Sequence, residues 1–149
     1  MVRVLATGTF ELLHPGHVLY LEEAKKLGDE LFVIVARDAT VKQRKRTPII
    51  PEEQRLRMVS ALKVVDRAML GSERDMYEPL YNIKPDIIAL GYDQAFNEKV
   101  LEEELRERGF HSQIIRIRKH NSNAFCKAEA IINRILESAE EGRWKKSGD

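Results

Sequence analysis

The chain has 149 residues, 43% hydrophobic and 33% charged, and its 25 basic and 24 acidic side chains leave a net charge of +1. That length suits one soluble domain with a buried core, and the even charge balance excludes nucleic acid or a membrane surface as a partner drawn by whole-chain charge, so any basic site must be local. The lone cysteine, Cys126, excludes a disulfide framework within the chain and fits a reducing cytoplasm, and neither a signal peptide nor a transmembrane helix is expected.

Residues 2–6 are a short apolar run that predicts a buried strand. Residues 16–27 predict a helix, with Val18, Leu19, Leu21, Ala24 and Leu27 near helical spacing and Gly28 as its stop. Residues 30–36 are almost continuously apolar, the mark of a strand covered on both faces of a parallel sheet. Residues 51–62 predict a helix with Pro51 in its first turn and Glu52 and Glu53 beside it, where the helix dipole favours carboxylates. A short strand at 68–70 ends at Gly71, a short helix follows at 75–82, and a buried strand at 86–90 ends at Gly91. Residues 98–108 predict a charged helix with Val100, Leu101 and Leu105 facing inward and Gly109 as its cap. A strand at 113–117 and a helix at 124–139 follow, and residues 140–149, Trp144 included, read as a polar, frayed tail. Alternation of strand and helix from end to end predicts an α/β fold: a Rossmann-like parallel sheet of about five strands, helices on both faces, right-handed crossovers, and one domain over residues 1–149.

The stretch Thr7-Gly8-Thr9-Phe10-Glu11-Leu12-Leu13-His14-Pro15-Gly16-His17 lies where the first strand hands over to the first helix. Open α/β sheets bind phosphates at such a handover. Gly8 is expected to let the chain turn sharply off the strand. Gly16, without a side chain, would let a phosphate approach the helix start, and Pro15 lacks only an N–H that would be unpaired there. The backbone N–H groups after Gly16 would point at the anion, and His14 and His17 can each donate to its oxygens without a full resting charge. A capping and packing pair, or half of a metal site, are the competing readings. Metal is disfavoured because no cysteine or carboxylate cluster accompanies the pair, and the other histidines are His111 and His120. The run Lys42-Gln43-Arg44-Lys45-Arg46 is either a solvated face or a mobile loop, ended by Thr47-Pro48, that closes over phosphorylated substrates. Asp38 reads as a helix cap or as the holder of a cation or substrate. Cys126 reads as a small buried residue and not a nucleophile, and Tyr77, Tyr81 and Phe96 as core or rim.

Gly8-Thr9-Phe10-(x3)-His14-Pro15-Gly16-His17 resembles the signature of the nucleotidyltransferase superfamily with the His-x-Gly-His motif. Ala36-Arg37-Asp38, Pro51-Glu52-Glu53-Gln54-Arg55 and Gly91-Tyr92-Asp93-Gln94 resemble further segments of that superfamily, over roughly residues 1 to 120. Within it, the wording of these segments is most similar to archaeal FAD synthases and next to glycerol-3-phosphate cytidylyltransferases. The resemblance implies transfer of AMP from ATP, with Mg²⁺ on the triphosphate, to the phosphate of FMN, with pyrophosphate leaving. CTP with glycerol 3-phosphate, ATP with a sugar phosphate, and a non-catalytic nucleotide-binding regulator are the alternatives. Catalysis would then rest on positioning and charge stabilisation, with no base needed for an acceptor phosphate already ionised. The resemblance assigns His14, His17, Arg44 and Arg46 to catalysis, and Thr9, Phe10, Pro15, Gly16 and Asp93 to the nucleotide alongside the two histidines. Arg55 matches the superfamily and Arg57 reads as a surface charge. Cytidylyltransferases carry a hydroxyl-rich segment after an arginine, at the start of the last helix. Here Ser122 is the sole hydroxyl of residues 116–127, so Arg118, His120 and Asn121 are the expected substitutes, with His120 stacking on or bonding to the base. No resident metal site is implied, and the expected partners are small molecules and a second copy of the chain, without nucleic acid or membrane, in the cytoplasm.

Overall fold

The computed structural model describes residues 1–44, 46–120 and 125–142. In chain order the elements are β1 (Arg3–Gly8), α1 (Pro15–Lys25), β2 (Glu30–Val35), α2 (Asp38–Gln43), α3 (Glu52–Ser60), β3 (Arg67–Leu70), α4 (Leu80–Ile83), β4 (Ile87–Leu90), α5 (Glu98–Glu107), β5 (Gln113–Arg116) and α6 (Ala128–Glu140). The strands pair in parallel in the order β3-β2-β1-β4-β5, the expected α/β arrangement.

Side chains alternate across a strand, and the core divides accordingly. Val4, Ala6, Leu31 and Val33 face Leu21 and Ala24 of α1 and Val59 of α3. Leu5, Phe32, Ile34 and Ile88 face Leu80 and Ile83 of α4 and Leu101 and Leu105 of α5. Both faces of the central strands are covered, which is why their sequences are continuously apolar.

The order reverses between β1 and β4, and there the ladder stops short. β1 pairs with β2 over its full length, from Arg3 with Glu30 to Gly8 with Val35. It pairs with β4 only at Val4 with Ile87 and Leu5 with Ile88. Beyond that point side chains replace the ladder. The buried Tyr20 hydroxyl accepts from the Thr7 N–H at 3.2 Å and donates to the Ala89 carbonyl at 2.6 Å, and burial pushes its pKa well above the ordinary phenol value. Gln94 donates through Nε2 to the Thr7 carbonyl at 2.9 Å and accepts the Gly91 N–H at 2.8 Å. The two strands part around these bridges, and the crevice opens at the carboxyl ends of the strands, at the topological switch point.

Several expectations shift. Residues 38–43 are helical, although only Val41 of that helix is buried, so its apolar signal is one residue deep. The expected helix at 75–82 begins as separate turns, with Glu78 N–H on Asp75 and Leu80 N–H on Tyr77. It becomes α4 only after Pro79, whose ring cannot donate, and Lys84 at φ 49° ends it. Val100, expected inside, is 49% exposed; Leu101 and Leu105, four apart, define the buried stripe of α5, and Val100 falls to its side. Tyr77 is core, Phe96 packs against that core, and Tyr81 is half exposed. The expected start of the last helix at Ala124 and the tail bearing Trp144 lie outside the described residues, where α6 is seen from Ala128.

Candidate active site

The floor of the crevice is the turn between β1 and α1. The left-handed residue there is Phe10, at φ 53°, not Gly8, whose φ is not positive. The sequence reading gave the turn to Gly8, and the reason for glycine is instead space: a Cβ at Gly8 would lie 2.9 Å from the Phe10 ring. Phe10 is buried, with its ring centroid 5.1 Å from that of His17. A bulky residue in this region of backbone space is held by its surroundings, at a cost of about 1–3 kcal/mol.

The two histidines cap α1 reciprocally. His14 is the N-cap residue, and its Nδ1 accepts the Gly16 N–H at 3.1 Å. His17 Nδ1 accepts the His14 N–H at 3.4 Å. The rings stack with centroids 3.7 Å apart. With Nδ1 of His14 used as an acceptor, its neutral ring carries the proton on Nε2, a donor. Burial lowers the pKa of His14, against the opposing charge of Asp93. Burial, with His14 adding to it against a Leu12 carbonyl, lowers His17 to about 4. Both rings are therefore neutral near pH 7.

This cap changes the expectation for the helix start. The Gly16 N–H is taken by the His14 ring, and the His17 and Val18 N–H groups reach the His14 carbonyl at 3.0 and 3.3 Å. The first-turn amides thus have partners within the protein. Gly16 also has a different use: a Cβ there would lie 2.4 Å from the Cys126 carbonyl, so the glycine admits the segment before α6 against the helix start. Cys126 itself is buried, as its small-residue reading requires.

Above this floor lies a cleft of about 790 Å³. Thr9, Phe10, His14, Gly16 and His17 line it from the β1–α1 side, Arg44 and Arg46 from the basic loop, and Asp93 and His120 from the β4 and β5 side. Pro15 and Arg118, also predicted, are not part of its wall. Lys45, Asn121 and Ser122 lie outside the described residues. The sequence reading missed Tyr92, Lys119 and Lys127, which also line the cleft. His120 stacks on Tyr92, centroids 4.5 Å apart, and Lys127 Nζ stands 5.9 Å from the same ring. Tyr92 was in view as the variable position of Gly91-x-Asp93; the pairing with His120 needs the fold.

Two arginines shape this site without lining it. Arg116 donates to the carbonyls of Gly91 at 2.9 Å, Gln94 at 2.6 Å and Phe96 at 2.7 Å, which moulds the loop carrying Asp93. Arg55 is 1% exposed. It donates to the carbonyls of Ile50 at 2.8 Å and of Thr9 and Ala36 at 2.7 Å, and to Asp38 Oδ1 at 2.6 Å. That bond holds the Asp38 carboxyl below its usual pKa, so Asp38 serves Arg55, and the N-cap position of α2 falls to Arg37. The buried Glu11 accepts the Ile49 and Ile50 N–H groups at 2.5 and 2.7 Å and ties down the chain just beyond the basic loop.

Residues 5–134 match the cytidylyltransferase-like family model. The chain belongs to that family. Curated relatives agree across nearly the whole length. An FAD synthase from Archaeoglobus profundus is 59% identical over 92% of this chain and 88% of its own length. An FAD synthase from Methanohalophilus mahii is 56% identical over 92% of this chain and 96% of its own length. Among solved structures, the lipopolysaccharide core biosynthesis protein from Thermoplasma volcanium superposes with a TM-score of 0.79 at 52% identity, covering 81% of this chain and 99% of that one. Pantoate-beta-alanine ligase from Francisella tularensis, at 14% identity and a TM-score of 0.63 over 99% of this chain and 74% of that one, shares the fold. As a cytidylyltransferase-like protein the chain is a nucleotidyltransferase. Among the described residues no group of three or more His, Cys, Asp or Glu side chains is arranged to hold a metal ion, and no helix is long and apolar enough to cross a membrane.

Proposed function

We propose that the protein joins AMP from ATP to FMN, forming FAD and pyrophosphate. The observation that carries this reading is the convergence of two neutral histidines and two arginines with Asp93 and His120 on one cleft at the switch point. Relatives named FAD synthase at 54–59% identity support the choice of substrates. In this reading an oxygen of the FMN phosphate attacks the α-phosphorus of ATP in line, the bond to the β-phosphate bridging oxygen breaks, and the electron pair leaves on pyrophosphate. His14, through Nε2–H, and His17 hold phosphate oxygens as charge moves toward the leaving group, and Arg44 and Arg46 add cations to both substrates. Thr9, Phe10 and Gly16 border the triphosphate, and Asp93 and His120 face the nucleoside. The divalent cation arrives on ATP, as part of the substrate. The enzyme acts as one domain in the cytoplasm and pairs with a second copy of itself.

Pyrophosphate release measured with each nucleotide and acceptor tests this. ATP with FMN is expected to turn over. Turnover with CTP and glycerol 3-phosphate but none with ATP and FMN overturns the reading, and nucleotide binding without turnover of any pair identifies a regulator.

A further inference from the structure

We infer that the ring system of the flavin acceptor enters a second, apolar cavity on the far side of the gap between β1 and β4, with its phosphate end returning to Arg44; this rests on the FMN reading above. The cavity has a volume of about 180 Å³ and lies between the sheet and helices α4 and α5, walled by Ile34, Leu80, Ile88, Leu90 and Leu101. It adjoins the cleft. Thr7, Gly8, Arg44, Gln94 and Phe96 line both spaces and form the throat between them. Gln94 is a fixed part of that throat, because both ends of its amide are bonded to backbone across the gap.

Apolar walls open to a polar cleft are poorly solvated and favour a large apolar group. Glycerol 3-phosphate has none to offer, whereas FMN is a fused aromatic ring joined through a polyol to a phosphate. The polar groups of the throat, with Thr40 on α2, suit the hydrogen-bonding edge of such a ring. The half-exposed Met76 thioether on the cavity wall suits an aromatic face. Placement also follows from the reaction. In-line attack on the α-phosphorus needs the acceptor phosphate opposite the leaving pyrophosphate, and the residues common to cleft and cavity are where the two substrates would meet. Arg44 belongs to both spaces and no ion pair with a described residue engages it.

The test uses the full chain, flavin fluorescence titrations with FMN and with riboflavin, which lacks the phosphate, and calorimetric ATP binding. Thr40→Trp and Met76→Arg obstruct the cavity from α2 and from the segment before α4. Each is expected to weaken FMN and riboflavin by about tenfold or more, with ATP affinity and melting temperature unchanged. Arg44→Gln should weaken FMN and leave riboflavin as it was. If the wild type makes FAD and both obstructing variants keep the wild-type KM for FMN, the cavity assignment is wrong while the FMN reading stands. Equal losses of FMN and ATP affinity in a folded Met76→Arg variant also overturn it. A wild type that makes no FAD from FMN removes the acceptor reading and this inference together.

Discussion

His14 and His17 sit ring on ring, 3.7 Å apart, in a place that burial makes hostile to positive charge. Neutral N–H donors answer the need, since they can follow charge onto a leaving group without repelling each other at rest. His17→Ala should therefore lower kcat/KM by about 10²-fold or more, measured by pyrophosphate release. His14→Ala should do the same and also lower thermal stability by about 1 kcal/mol, because it removes the cap on Gly16 N–H. The pH dependence has a definite sign. Folded His17 titrates at about 4 and an unfolded histidine at 6.5. Protonation thus favours the unfolded chain, and this contribution to stability is whole above pH 6.5 and is lost as pH falls toward 4. Melting temperatures from pH 7 down to 4 should fall less steeply in a His17→Asn variant than in the wild type; equal slopes would refute the assignment.

At the scale of elements, the site depends on where α1 starts and on how β1 parts from β4. Gly16→Ala puts a methyl 2.4 Å from the Cys126 carbonyl, so the segment before α6 must move, at a cost of about 1–3 kcal/mol, read by chemical denaturation and accompanied by weaker ATP binding. Tyr20→Phe leaves the Thr7 N–H and the Ala89 carbonyl without their partner and should cost about 1–3 kcal/mol. The elements themselves were legible wherever the core imposed a period: β2, β4, α1 and α5 stand within two residues of expectation. α2 was not, because a six-residue helix with one buried side chain leaves no period to read.

Across the whole molecule, Arg55 joins parts distant in sequence: the turn after β1, the end of β2, the start of α2 and the chain before α3. Arg55→Met would orphan three carbonyls at about 1–3 kcal/mol each, a loss on the order of 10 °C in melting temperature, with the basic loop freed from its anchor. A variant that melts like the wild type would show that the clamp is dispensable.

The sequence by itself determined the α/β order, the parallel sheet and the handover at which His14 and His17 stand, because strand burial and helix starts leave local, periodic marks. It also marked Arg44, Arg46, Asp93 and His120 for the cleft they line. Only the tertiary structure decided why Gly8 and Gly16 are glycines, that the first-turn amides of α1 are already satisfied, that Arg55 and Arg116 support the site from behind, and that Tyr92 faces His120. Gly16 with Cys126, Arg55, Arg116 and Tyr92 with His120 join segments far apart along the chain, and no local pattern records which backbone will arrive beside a given residue; the Gly8–Phe10 contact and the His14 cap are local, but depend on the three-dimensional course of one turn.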